Sequence, residues 1–95
     1  MARYVSLLKF TEKGSAELKE STNRAHEFDA LAKQSGVTVE GQYWSMGCCD
    51  GILILQADTE AKILRLLTEL TSRGNVRSES LQAFTDKEFD AIVNA

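Results

Sequence analysis

An α+β domain, with elements ordered β-α-β-β-α-β around a four-stranded antiparallel sheet, is the fold this sequence predicts, and three observations predict it. Four short segments carry the apolar and β-branched alternation of strands. The middle two, Val37 to Met46 and Ile52 to Ala57, are separated only by the tight Gly47 to Gly51 connection, which favours an antiparallel hairpin. The two remaining gaps hold stretches of helical period, each stopped by a glycine, Gly36 and Gly74.

Residues Arg3 to Phe10 form the first strand. Thr11-Glu12-Lys13-Gly14 opens the first helical stretch, where Leu18, Ala25, Phe28 and Ala32 fall on one stripe. Ser21-Thr22-Asn23 lies inside it, and these residues prefer caps to helix interiors, so a break with a restart at Ser21 is expected. In the second strand Val37, Val39, Gly41 and Tyr43 alternate with Thr38, Glu40, Gln42 and Trp44. Tyr43 and Trp44 therefore face opposite sides of the sheet, and one of them is expected in the core. Ile52 to Ala57 is apolar on both faces and reads as a central strand. Asp58 or Thr59 caps the next helix, whose inner face is Ile63, Leu66, Leu67 and Leu70. Val76 to Phe84 is the fourth strand. Thr85-Asp86-Lys87-Glu88 is a capping box, with Phe84 and Phe89 at the staple positions. It opens a short C-terminal helix expected to bury Phe89, Ile92 and Val93.

Two right-handed crossovers around one hairpin give the ferredoxin-like, split β-α-β arrangement with strand order 4-1-3-2. Both crossover helices then cover one face of the sheet. The other face has nothing in the chain to cover it, so a second copy packed sheet against sheet, as a homodimer or a larger oligomer of dimers, is the expected solution.

The 95 residues suit one domain over 1–95, with a thin core. The net charge of −3, without a Lys/Arg cluster, argues against nucleic acid as a partner. No basic amphipathic helix and no apolar run near 20 residues points to a membrane. The start of the chain lacks a signal-peptide core, which makes the cytoplasm the expected location. Cys48 and Cys49 are adjacent and cannot staple a fold through an intrachain disulfide. With His26 expected on the solvent side of its helix, they also lack the spacing of a metal site, so neither metal nor other cofactor is expected.

Several short stretches carry a family resemblance: Tyr4 to Thr11, Gly14, Arg24, Gly47-Cys48-Cys49-Asp50, Gly74-Asn75-Val76-Arg77 and Ala83-Phe84. In these the chain resembles the GYD-domain family, small proteins related to the dimeric α/β-barrel group. The resemblance implies the ferredoxin-like fold and barrel-like pairing of two copies. The family's naming motif is Gly-x-Tyr-Asp, and here Gly47 and Asp50 match while Cys49 stands in place of the tyrosine.

The topology brings the exit of the first strand, the hairpin and the entry of the fourth strand to one end of the sheet. Lys9, Asp50 and Arg77 are expected to meet there, as an anion or substrate site or as an end-of-sheet salt bridge. Arg24 is the candidate on the first long helix, either paired with a carboxylate or lying over apolar surface. Trp44 is a candidate for lining a cavity. These five residues are the candidate ligand-binding set. No phosphate loop, paired catalytic carboxylates or Ser-His-Asp constellation appears. Two functions remain open: a homodimeric binder of a small molecule in a cleft between sheet and helices, and a non-catalytic self-association or regulatory module.

Overall fold

The computed structural model describes residues 1–95 as four strands and four helices. In chain order they are β1 (Ala2–Phe10), α1 (Glu12–Ala16), α2 (Ser21–Gln34), β2 (Thr38–Trp44), β3 (Gly51–Ala57), α3 (Glu60–Ser72), β4 (Val76–Gln82) and α4 (Asp86–Val93). A 3₁₀ turn, Leu18–Glu20, joins α1 to α2. All strand pairs are antiparallel, in the order β2-β3-β1-β4. This is the expected topology, with β1 and β3 central.

The break in the first helical stretch falls just before Ser21, which becomes the first residue of α2. Thr11 caps α1, its hydroxyl accepting the Gly14 N–H at 3.2 Å. Leu18 lies on the 3₁₀ turn and leaves the α2 stripe, so it is exposed where burial was expected. α2 and α3 end at Gly36 and Gly74, whose φ of 76° and 80° are left-handed. One core lies between these helices and the sheet. Phe28 and Ala32 from α2 and Ile63, Leu66 and Leu67 from α3 pack on Ala2, Leu53, Leu55 and Ala57.

β2 departs from strict alternation. Its register against β3 slips between Val39 and Gly41, leaving Glu40 as the extra residue of a bulge. Before the bulge Val37 and Val39 face the helices; beyond it Gln42 and Trp44 do, while Tyr43 joins the opposite face, paired with Ile52. Tyr43 and Trp44 are both more than half exposed, so neither completes the core as expected. The bulge also turns Glu40 toward Arg3, whose Nε donates to Oε1 at 2.9 Å.

The face of the sheet away from α2 and α3 carries Val5 and Leu7 of β1, Ile52 and Ile54 of β3, Tyr43 of β2 and Leu81 of β4. α4 does not close it. The capping box forms as expected: Thr85 Oγ1 accepts the Glu88 N–H at 3.1 Å and Glu88 Oε1 accepts the Thr85 N–H at 2.8 Å. Yet Phe84, Phe89, Ile92 and Val93 are each at least half exposed, at 50%, 59%, 58% and 56%. The expectation that α4 buries its apolar side chains on its own chain is therefore corrected. Its cap is a local interaction that needs no docking.

The Glu88 carboxylate is held below the usual carboxylate range, first by the Thr85 N–H and then by the Thr85 hydroxyl, with the Arg3 guanidinium 3.3 Å away adding a smaller part. A lowered value in the folded chain means the cap is fully present above the ordinary glutamate range and is lost as pH falls through that lowered value. α4 is expected to fray in that window, before the sheet is lost. Circular dichroism at 222 nm between pH 5 and 2, compared with Glu88→Gln, checks this; identical profiles for the two proteins would count against it.

Candidate functional site

The cavity between α2 and the sheet is where the sequence-derived candidates can be tested. Its floor is Leu8, Phe10 and Leu53 from β1 and β3, its wall is Phe28 of α2, and it encloses about 130 Å³. Several waters or one compact organic molecule occupy a space of that size. Trp44 stands at the mouth, its indole N–H donating to Ser21 Oγ at 2.8 Å. On the other side Arg73 pairs with Glu27 at 3.6 Å, tying the end of α3 to α2.

Arg24 lines this cavity and is half-buried. Its guanidinium donates to the Glu17 carbonyl at 3.0 Å and to the Gly14 carbonyl at 3.3 Å, at the C-terminal end of α1. These carbonyls carry the negative end of the helix dipole, so the cation is well placed there. No carboxylate lies within ion-pair distance of Arg24. Its remaining N–H groups are free for an anionic group entering the cavity. Gly14 makes this arrangement possible. It is buried, and a Cβ on it would run into the Asn75 carbonyl.

None of the other three candidates lines this cavity, although Asp50 meets Trp44 in a shallower groove beside Ser21 and Ser45. Asp50 belongs to the hairpin. Its Oδ2 accepts the Phe10 N–H at 2.9 Å, while its own N–H donates to the Leu8 carbonyl at 2.8 Å. It clamps the hairpin onto the end of β1 and makes no ion pair with Arg77. Lys9 and Arg77 sit directly opposite each other in the β1–β4 ladder, both exposed, on the open face. Neither has a carboxylate within ion-pair distance. Two like charges facing each other across a ladder are unfavourable.

The Gly47-Cys48-Cys49-Asp50 stretch forms the hairpin turn, with Gly47 at a φ of 116°. Cys48 points outward and Cys49 inward, both as free thiols. Ser45 donates its hydroxyl to the Cys49 carbonyl at 2.9 Å. The side chain in the tyrosine's place is thus buried under the turn and does not line the cavity. His26 is exposed, as its helical position implied. Glu27 and Arg73 went unnoticed in the sequence, because they meet only through the packing of α2 against α3, and Ser21 was read as a helix start and not as the partner of Trp44.

The GYD domain model matches residues 4–93. The chain belongs to the GYD domain family. A relative from Thermus thermophilus is 30% identical over 84 residues, covering 87% of this chain and 88% of its own length. It is named glutamine synthetase and cystathionine beta-lyase binding protein. Among solved structures, the C-terminal domain of the MgtC protein from Mycobacterium tuberculosis superposes with a TM-score of 0.56 at 22% identity, covering 87% of this chain and 88% of that one. That likeness supports the α+β fold alone. No helix of this GYD-domain chain is long and apolar enough to cross a membrane.

Proposed function

We propose that this GYD-domain chain is a non-catalytic, homodimeric binding module that attaches to a metabolic enzyme. The observation that carries the reading is the likeness, over nearly the full length of both chains, to a protein named for binding glutamine synthetase and cystathionine beta-lyase. The surface fits the homodimer. Apolar side chains stand exposed on the open sheet face and on α4, where they are available for burial against a second copy of the chain. The two enzymes are accordingly the first partners to try. The test immobilises the protein and flows purified glutamine synthetase or cystathionine beta-lyase of its own organism over it. Saturable binding with micromolar or tighter Kd is expected for at least one; no response from either overturns the enzyme-binding reading.

The α2–sheet cavity favours a second reading, in which the module also takes a small molecule. An apolar chamber with one half-buried, carboxylate-free arginine at its side suits a compact carboxylate with an apolar body. A thermal-shift screen of short aliphatic and aromatic carboxylates is expected to raise Tm for a subset. Ligand at 100 times its Kd stabilises by about 2.7 kcal/mol, enough to read. Arg24→Gln is expected to abolish the shift while the protein stays folded. A shift that survives this change would exclude Arg24 as the anchor.

A further inference from the structure

Two uncovered apolar surfaces belong to the same chain: the open sheet face and the stripe of α4. Phe89, Ile92 and Val93 form that stripe at helical spacing, with Phe84 just before it. α4 also makes the molecule long. The radius of gyration is 14.2 Å, against about 12 Å for a compact chain of this length. The longest extent is 49 Å, whereas a nine-residue strand spans only about 30 Å. A helix with a completed capping box and an amphipathic pattern, standing away from its own core, is built to lie on something.

The charges say on what. At the far end of the open face, Lys9 and Arg77 oppose each other with no carboxylate in ion-pair distance, and Glu79, one ladder pair away on the same face, pairs with neither. Beside the stripe of α4 stand Asp86 and Asp90, both exposed and free of any cationic partner within ion-pair distance. Within one chain these groups lie at opposite ends of the sheet, because β4 starts next to Arg77 and leads into α4 only beyond Gln82. A twofold axis lying between two facing sheets and crossing the strands brings the α4 end of one copy over the Lys9 end of the other. Twofold symmetry then makes the contact twice.

We infer that α4 is a clasp: in the homodimer it lies on the open sheet face of the second copy, its apolar stripe against that face and Asp86 and Asp90 beside Lys9 and Arg77. The inference rests on the homodimer of the preceding reading and adds its orientation and its occupant. The contact buries both apolar surfaces and relieves the like-charge pair with carboxylates from outside. Arg3, bonded to Glu88 at 3.3 Å, holds the root of the clasp on its own chain.

Charge exchange tests this. One variant carries Lys9→Glu and Arg77→Glu; the other carries Asp86→Asn and Asp90→Lys. All four positions are exposed, so circular dichroism and Tm are expected to show both variants folded. Light scattering at low salt reads the mass, 10.5 kDa for one copy. The wild type is expected as a dimer. Each variant alone is expected to dissociate at concentrations at least about tenfold higher than the wild type, since like charges now face each other. An equimolar mixture is expected to recover a one-to-one dimer, because each α4 then meets the opposite charge. A monomeric wild type overturns the homodimer and the clasp together. A dimeric wild type whose variants dimerise equally well alone, or do not recover on mixing, overturns the clasp and leaves the homodimer standing.

Discussion

Leu55→Ala is expected to cost about 4 kcal/mol, within the range for deleting a fully buried leucine side chain and leaving a cavity. Leu55 has no exposed surface. It lies in a central strand, between Tyr4 of β1 and Val39 of β2. The side chains around it come from β1, β2, α2 and α3, so no single side chain can shift to refill the void. A small domain has only about 5 to 15 kcal/mol in total, so this one change removes a large fraction. Leu64→Ala is the control: that side chain is 67% exposed on the outer side of α3, and its loss should stay within about 0.5 kcal/mol. Urea titration at a fixed protein concentration, needed because self-association would add to the apparent stability, separates the two. Equal midpoints would mean that the core is not organised around β3.

Gly14→Ala is expected to destabilise by about 3 kcal/mol, although helix propensity argues for the opposite sign. Alanine in place of glycine gains at most about 1 kcal/mol in a helix interior. Against this, the added Cβ meets the Asn75 carbonyl, a backbone group that cannot swing aside. α1 cannot retreat either. The Thr11 N–H donates to that same carbonyl at 3.0 Å, and the Thr11 hydroxyl donates to the Gly74 carbonyl at 2.5 Å. Overpacking of this kind costs about 1 to 3 kcal/mol and occasionally more. Ser15→Ala, one residue on and exposed, is the neutral comparison. The Gly14 carbonyl also accepts from Arg24, so any carboxylate response in the cavity should weaken together with stability. A Gly14→Ala protein as stable as the wild type would show that α1 is not clamped to the start of β4.

Much of this architecture was legible because it is encoded locally. The capping box at Thr85 and Glu88, the restart at Ser21 and the stops at Gly36 and Gly74 each depend on a few neighbouring residues. Strand order followed from connection lengths. What misled was parity and docking. Strict alternation groups Tyr43 with Val37 and Val39, but the bulge at Glu40 inverts everything after it and delivers Trp44 to the cavity instead. Gly41 inside a strand was the signal for such a bulge. Asp50 was expected beside Lys9 and Arg77 on end-of-sheet proximity alone. Its carboxylate instead satisfies the Phe10 N–H, while the two cations stand on the open face. α4 was given a buried stripe because its pattern is amphipathic; periodicity tells which side of a helix wants cover, not which chain provides it.

The position of β1 in the sheet also has a consequence in time. Its ladder to β3 joins Ala2 with Ala57, and its ladder to β4 joins Lys9 with Arg77. The strand made first thus waits for both of its neighbours. At about 5 to 20 residues per second, roughly 4 to 14 seconds separate the synthesis of Phe10 from that of Gln82. Until β3 is made β1 has no partner, its β4 side stays open until Gln82, and closing loops of this length makes folding slow for so small a chain. Fusing the β4 segment ahead of β1 through a flexible linker, in a circular permutant, would shorten one of these waits. Such a permutant should refold faster and aggregate less during synthesis without any change in the final set of contacts.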